Sequence, residues 1–179
     1  ERGVAIERFA VDQSGVADLA DYRNRLASRP SLVMVAAVGN VTGAAQPWSE
    51  MAELAHASGA LFALDAAQAC GSMPVNATEV DFLAASGHKG LLGPTGIGIL
   101  YAREGISLRP LIFGGTGSRS TDEEQPEHWP DAMESGTLNL AGIAGLGVAL
   151  AWLEKTGVTT IAEKMTKLAR QTRGRLSKI

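Results

Sequence analysis

Short apolar runs of strand length alternate along this chain with stretches whose apolar residues recur every three or four positions. Val4 to Ala10 reads as a strand, Asp12-Gln13-Ser14-Gly15 as a turn, and Val16 to Ala27 as a helix with Leu19, Tyr22 and Leu26 on one side. Ser31 to Val38 is a dense apolar run. The polar loop Gly39-Asn40-Val41-Thr42-Gly43 then leads to Pro47, whose fixed φ suits the first turn of a helix. Trp48, Met51, Ala52 and Ala55 mark that helix's buried face, and Gly59 ends it. Ala60 to Leu64 is a buried strand that stops at Asp65; Asp81 to Ala85 and Gly96 to Tyr101 are two more. Strands alternating with helices predict an α/β fold, a three-layer and mostly parallel sheet with both faces covered.

From Gly114 to Asn139 the periodicity fades into glycine, threonine, proline and charge. Loops this long are uncommon unless they serve a site or an interface. Ile143, Leu146, Leu150 and Leu153 then define one helix, and Ile161, Met165, Leu168 and Leu176 a second. The second carries Lys164, Lys167, Arg170, Arg173, Arg175 and Lys178 against Glu163, which reads as a solvated face near a domain junction rather than a nucleic-acid surface.

The 179 residues, 45% hydrophobic, are enough to bury a core. A formal charge of −3 gives no general attraction to nucleic acid or anionic membrane, so a small-molecule ligand is the default. No apolar stretch reaches the roughly 20 residues that span a bilayer. Cys70 is the only cysteine, which excludes an internal disulfide and any multi-cysteine metal site and fits a reducing cytoplasm. His56, His88 and His128 are scattered without paired ligand spacing. The chain opens without methionine and directly in a β-like segment, and its end lies inside a helical pattern, so it reads as part of a longer protein.

The residues with chemistry gather at strand ends. Ser86-Gly87-His88-Lys89-Gly90 places a lysine in a glycine-rich turn directly after a buried strand, where open α/β sheets bind ligands. A desolvated amine there suits Schiff-base formation. Asp65 ends the preceding strand, and neighbouring strands put their ends about 5 Å apart. A lysine and a carboxylate are the partners that pyridoxal phosphate needs, one to hold its aldehyde and one to keep its ring nitrogen protonated. Each residue alone has an ordinary alternative: Asp65 as a turn or cap residue, Lys89 and His88 as solvated loop residues, Ser86 and Asn40 as turn formers, Gln68 bonding a helix end. A P-loop is excluded by spelling, because Lys89 follows histidine and precedes glycine.

Taken in order, Asn40-Val41-Thr42-Gly43, Asp65-Ala66-Ala67-Gln68, Ser86-Gly87-His88-Lys89, Gly114-Gly115-Thr116-Gly117-Ser118 and Glu134-Ser135-Gly136-Thr137-Leu138-Asn139 resemble the class V aminotransferase family in its cysteine desulfurase-like branch. The resemblance runs from about Val4 to about Lys164. It implies the fold-type-I architecture of pyridoxal-phosphate enzymes, with residues 1–156 as the central part of the large cofactor domain and 157–179 as a helix leading toward a C-terminal domain.

By position, the resemblance implies that Lys89 forms the Schiff base with pyridoxal phosphate and Asp65 pairs with the ring nitrogen. Asn40 and Gln68 would sit near the phenolic oxygen, Ser86 and His88 at the phosphate, and Thr116 at the phosphate of a neighbouring subunit, making a homodimer with its site at the interface. The implied reaction is cysteine desulfuration, cysteine to alanine, with sulfur passing to a thiol and a sulfur-acceptor protein as a partner. The family's N-terminal stretch, with a phosphate-binding turn and a ring-stacking aromatic, and its C-terminal domain, with the substrate-carboxylate arginine and reactive cysteine, have no counterpart here. Gly39 stands where many relatives carry serine. Cys70 falls five residues after Asp65, in the wrong part of the family's order for a sulfur acceptor, and reads as a packing residue. An aminotransferase, a selenocysteine lyase or an epimerase would keep the same residues, and a non-catalytic interaction domain would keep the fold. The chain by itself is expected to be inactive.

Overall fold

The structure is a computed structural model that describes residues 3–115 and 124–177. The elements run α1 (Leu19–Leu26), β1 (Leu32–Ala36), α2 (Trp48–Ala57), β2 (Leu61–Asp65), β3 (Phe82–Ser86), β4 (Gly98–Ala102), α3 (Leu140–Thr156) and α4 (Val158–Leu176), with short 3-10 turns at Ala77–Glu79 and Asp131–Met133. The sheet has four strands in the order β1-β2-β3-β4. β1, β2 and β3 are parallel, and β4 closes the edge antiparallel to β3. The α/β, mostly parallel architecture read from the sequence is the one observed.

Each parallel strand alternates burial. Val33, Val35, Phe62, Leu64, Leu83 and Ala85 point into a core completed by Tyr22, Leu26, Met51, Ala52, Ala55, Leu146 and Leu153. Side chains of a strand alternate between faces, so Leu32, Met34 and Ala36 necessarily point the other way. Among the described residues that second face is open, with Met34 72% exposed and Leu32 and Leu100 also accessible. The helical layer expected on both faces is therefore present on one.

Local chemistry explains the helix limits. α1 starts at Leu19 rather than Val16 because Asp18 caps it, its carboxylate accepting from Ala20 N at 2.8 Å and Asp21 N at 3.1 Å. Tyr22 is buried and donates its phenol to Met51 O at 2.8 Å, which fastens α1 to α2; burial pushes its pKa up to about 12. Gly59, with φ +84, ends α2 in a conformation that L side chains rarely adopt.

Two expectations are corrected. Val4 to Ala10 forms no strand; Val4 and Ile6 are exposed, and the segment is held instead by Ala10 N donating to Asp21 Oδ2 at 2.7 Å and by Phe9 packed edge-on against Tyr22. A run of strand length does not make a strand without a neighbour to pair with. In α3, Ile143 and Leu150 are exposed, and the buried line runs through Gly142, Leu146 and Leu153.

Asp81 immediately precedes β3 and is 0% exposed. Its Oδ2 accepts from Phe62 N at 2.6 Å and meets His56 Nε2 at 2.9 Å, while Oδ1 lies 2.6 Å from Arg103 Nη2. One carboxylate thus ties the start of β2, the end of α2 and the segment after β4. Asp81→Ala removes the acceptor of the buried Phe62 N and leaves that donor unsatisfied, so it is expected to lose about 1–3 kcal/mol. Urea denaturation would show this, whereas Arg103→Ala should cost less because the guanidinium is half exposed; equal losses would argue against a carboxylate-centred cluster.

Candidate active site

The carboxyl ends of β1, β2 and β3 share one edge of the sheet, fixed by the pairs Ala36↔Asp65 and Asp65↔Ala84. Asp65 is the last residue of β2 and Ser86 the last of β3; Asn40 follows β1 and Lys89 follows β3. The edge continues past the strands, since Ala37 N donates to Asp65 O and Ala66 N to Ala84 O, both at 2.8 Å.

On this edge Gln68 Nε2 donates to Asn40 Oδ1, joining the loops that follow β1 and β2. Asp65 Oδ1 accepts from Ala67 N at 2.9 Å, the turn contact its bland reading foresaw. Its Oδ2 has no protein partner among the described residues. Lys89 is partly buried, and its amine has no ion-pair or hydrogen-bond partner among the described residues; His88 is exposed and Ser86 partly buried. Thr116 lies outside the described residues. The structure thus brings Asn40, Asp65, Gln68, Ser86, His88 and Lys89 to one open ledge. Among the described residues no cluster of histidine, cysteine and acidic groups could hold a metal ion.

The lysine turn is held by its own backbone. Gly87 N donates to Ile97 O at 2.9 Å, Gly93 N to Gly87 O at 2.7 Å and Leu92 N to Lys89 O at 2.9 Å. Leu92 has φ +59, a left-handed conformation that is costly outside glycine and usually sits at functional turns. The connector after Asp65 presses against this turn: a Cβ on Gly71 would collide with the Gly90 carbonyl, and one on Gly90 would lie 2.7 Å from Ser72 Oγ and closer still to Cys70 O. Sequence reading missed this contact, because glycine at two distant positions signals close approach only after the fold is known.

Cys70 sits in that connector, partly buried, and burial pushes its thiol pKa up. A raised pKa suits packing rather than nucleophilic sulfur chemistry, in line with its sequence reading.

The sequence profile of the aminotransferase class-V family matches residues 1–179. The chain belongs to the aminotransferase class-V family. Cysteine desulfurase from Klebsiella pneumoniae is 41% identical over 171 residues, which cover 93% of this chain and 40% of that protein. Probable cysteine desulfurase from Methanothermobacter thermautotrophicus is 35% identical over 185 residues, 100% of this chain and 46% of that protein. The apo structure of the cysteine desulfurase from Thermococcus onnurineus NA1 superposes with a TM-score of 0.87 at 35% identity, covering 96% of this chain and 44% of that one. The chain therefore spans less than half the length of these relatives.

Family members depend on pyridoxal phosphate, and the donor set on this sheet edge fits that group: a lysine amine and one carboxylate oxygen without partners among the described residues, and an amide pair. The Gly71–Gly90 contact is the feature most easily tested. Gly90→Ala is expected to destabilise the protein by about 1–3 kcal/mol, since a methyl must displace backbone rather than a mobile side chain. Thermal denaturation would register the loss; an unchanged melting temperature would mean that the two segments part easily. Cys70 is likewise expected to react with iodoacetamide more slowly near neutral pH than an unhindered thiol, with the rate rising into alkali.

Proposed function

We propose that the protein carrying this chain is a cysteine desulfurase that takes sulfur from free cysteine and leaves alanine. What carries the reading is the amine of Lys89, without a partner among the described residues, on the sheet edge where Asp65 ends β2, in a chain 41% identical to a cysteine desulfurase over 93% of its length. Pyridoxal phosphate, when bound, supplies a carbonyl for an amine and a ring that accepts electrons from the substrate's α-carbon.

In this reading Lys89 would hold the cofactor through its Nζ, and the same amine, when free, would serve as a general base and acid. Asp65 would pair with the ring nitrogen, its negative charge favouring the protonated form. Asn40 and Gln68, already paired, supply amide hydrogen bonds to the phenolic oxygen. Ser86 and His88 would hold the phosphate, and Thr116, which lies outside the described residues, would serve the phosphate of a second subunit in a homodimer. In this reading Cys70, partly buried in the connector after Asp65, packs rather than accepts sulfur, and burial, which pushes its thiol pKa up, is in keeping with that. The sulfur passes instead to another thiol and on to an acceptor protein. Among the described residues no helix is long and apolar enough to cross a membrane, and the reading places the enzyme in the cytoplasm.

In the intact protein that carries this chain, Lys89→Ala is expected to abolish borohydride-fixed pyridoxal phosphate and to lower alanine release from cysteine by about 10²–10⁴-fold, the range for loss of a positioned acid–base group. Asp65→Ala should keep the fixed cofactor but lose most turnover. Wild-type labelling of the Lys89→Ala protein would sink the assignment, and labelling without alanine release in wild type would remove the desulfurase reading while sparing the cofactor.

A further inference from the structure

We propose that Asn139 is a positioning residue for Lys89, using the two ends of one side-chain amide to tie the first turn of α3 to the exit of the lysine turn. The inference rests on the reading of Lys89 as the cofactor-holding amine. Asn139 is the N-cap of α3, and its Oδ1 accepts from Gly142 N at 2.9 Å. Its Nδ2 points the other way and donates to Gly96 O at 3.3 Å. Gly96 leads into Ile97, whose carbonyl holds Gly87 N at 2.9 Å, and Gly87 in turn accepts from Gly93 N. One short chain of hydrogen bonds therefore runs from the helix start to the backbone on both sides of Lys89.

The surfaces around this tether are fitted to it. A Cβ on Gly142 would fall on the Asn139 amide, 2.8 Å from its Cγ, so glycine at that position leaves the amide its place. One turn further along α3, a Cβ on Gly145 would sit 3.1 Å from Pro94 Cγ, and one on Gly93 would sit 2.8 Å from Leu146 Cδ1. The helix thus bears on the lysine turn at Gly93, Pro94 and Gly96, and Asn139 is where a directed polar bond sets the register of that contact. Capping alone would be served by serine, threonine or aspartate. An amide accepts from the helix and donates to the turn through separate atoms, whereas a hydroxyl would have to make both bonds from one shorter-reaching oxygen and a carboxylate has no donor.

The dual role separates into two variants. Asn139→Asp keeps the cap acceptor and loses the donor; Gly142→Ala leaves residue 139 unchanged and puts a methyl where its amide lies. Asn139→Asp is expected to melt close to wild type and Gly142→Ala somewhat lower, because the amide that its methyl displaces also caps the helix through Gly142 N; both should show roughly three- to tenfold faster hydrogen exchange across residues 87–97, the effect of losing one hydrogen bond of ordinary net strength. Both should also fix less pyridoxal phosphate to Lys89 with borohydride. Asn139→Ala should melt lower as well, because the cap goes too. Wild-type exchange rates in Asn139→Asp and Gly142→Ala would overturn the proposal, as would effects confined to melting temperature. If no pyridoxal phosphate is fixed to Lys89 even in wild type, the cofactor reading fails, while the exchange rates still decide whether Asn139 holds the turn.

Discussion

The register between β2 and β3 is the constraint on which the rest depends. The pairs Ala63↔Phe82, Leu64↔Leu83 and Asp65↔Ala84 put Phe62, Leu64, Leu83 and Ala85 into the core and turn Asp65 to the open face. A slip of one residue would exchange the two faces of β2, moving Leu64 out and burying Asp65 without a partner. The first change forfeits apolar burial and the second adds the cost of a desolvated charge, so both penalties act against the same error. Because the loops after β2 and β3 inherit this register, it also decides which side chains stand beside Lys89.

The two edges of the sheet treat charge differently. At the edge where β2 and β3 begin, buried Asp81 is surrounded by Phe62 N, His56 and Arg103. At the edge where they end, Asp65 keeps one oxygen uncommitted and Lys89 has no partner among the described residues. A satisfied cluster stabilises its surroundings, and an unsatisfied one is available to a ligand. The division follows the general placement of ligands at the carboxyl ends of parallel strands, with stability concentrated away from them.

Much of this was legible because its signals are local. The ends of β1, β2 and β3, the buried face of α2 and its stop at Gly59 each depend on spacing and terminators within a few residues. The same locality explains the failures. Val4 to Ala10 is an apolar-rich run of strand length but has no strand partner among the described residues, and no short window reports that. In α3 the apolar period pointed to Ile143 and Leu150, whereas the packed line includes Gly142, chosen for closeness rather than hydrophobicity. Asp81 read as one member of a strand, since His56 and Arg103 are remote in sequence. The apolar runs of β1 to β3 signalled burial on both faces, and the described residues cover one. For the site, the polar residues at the strand ends were legible, but not the contacts that orient them.

The lysine turn shows why those contacts were hidden. A glycine-rich stretch around a lysine suggests mobility or a phosphate cradle, yet here each glycine admits a different neighbour. Gly87 lies against the backbone of Ile97, Gly90 against the carbonyl of Cys70, and Gly93 against Leu146. β4's approach, the connector after Asp65 and α3 therefore all reach the turn's backbone, which side chains at those positions would prevent. The absence of side chains makes the turn more constrained rather than less, because three separate elements pack where Cβ atoms would otherwise be. His88 and Lys89 project from a backbone held on several sides, and a lysine so mounted gives up less conformational freedom when a ligand fixes its stem.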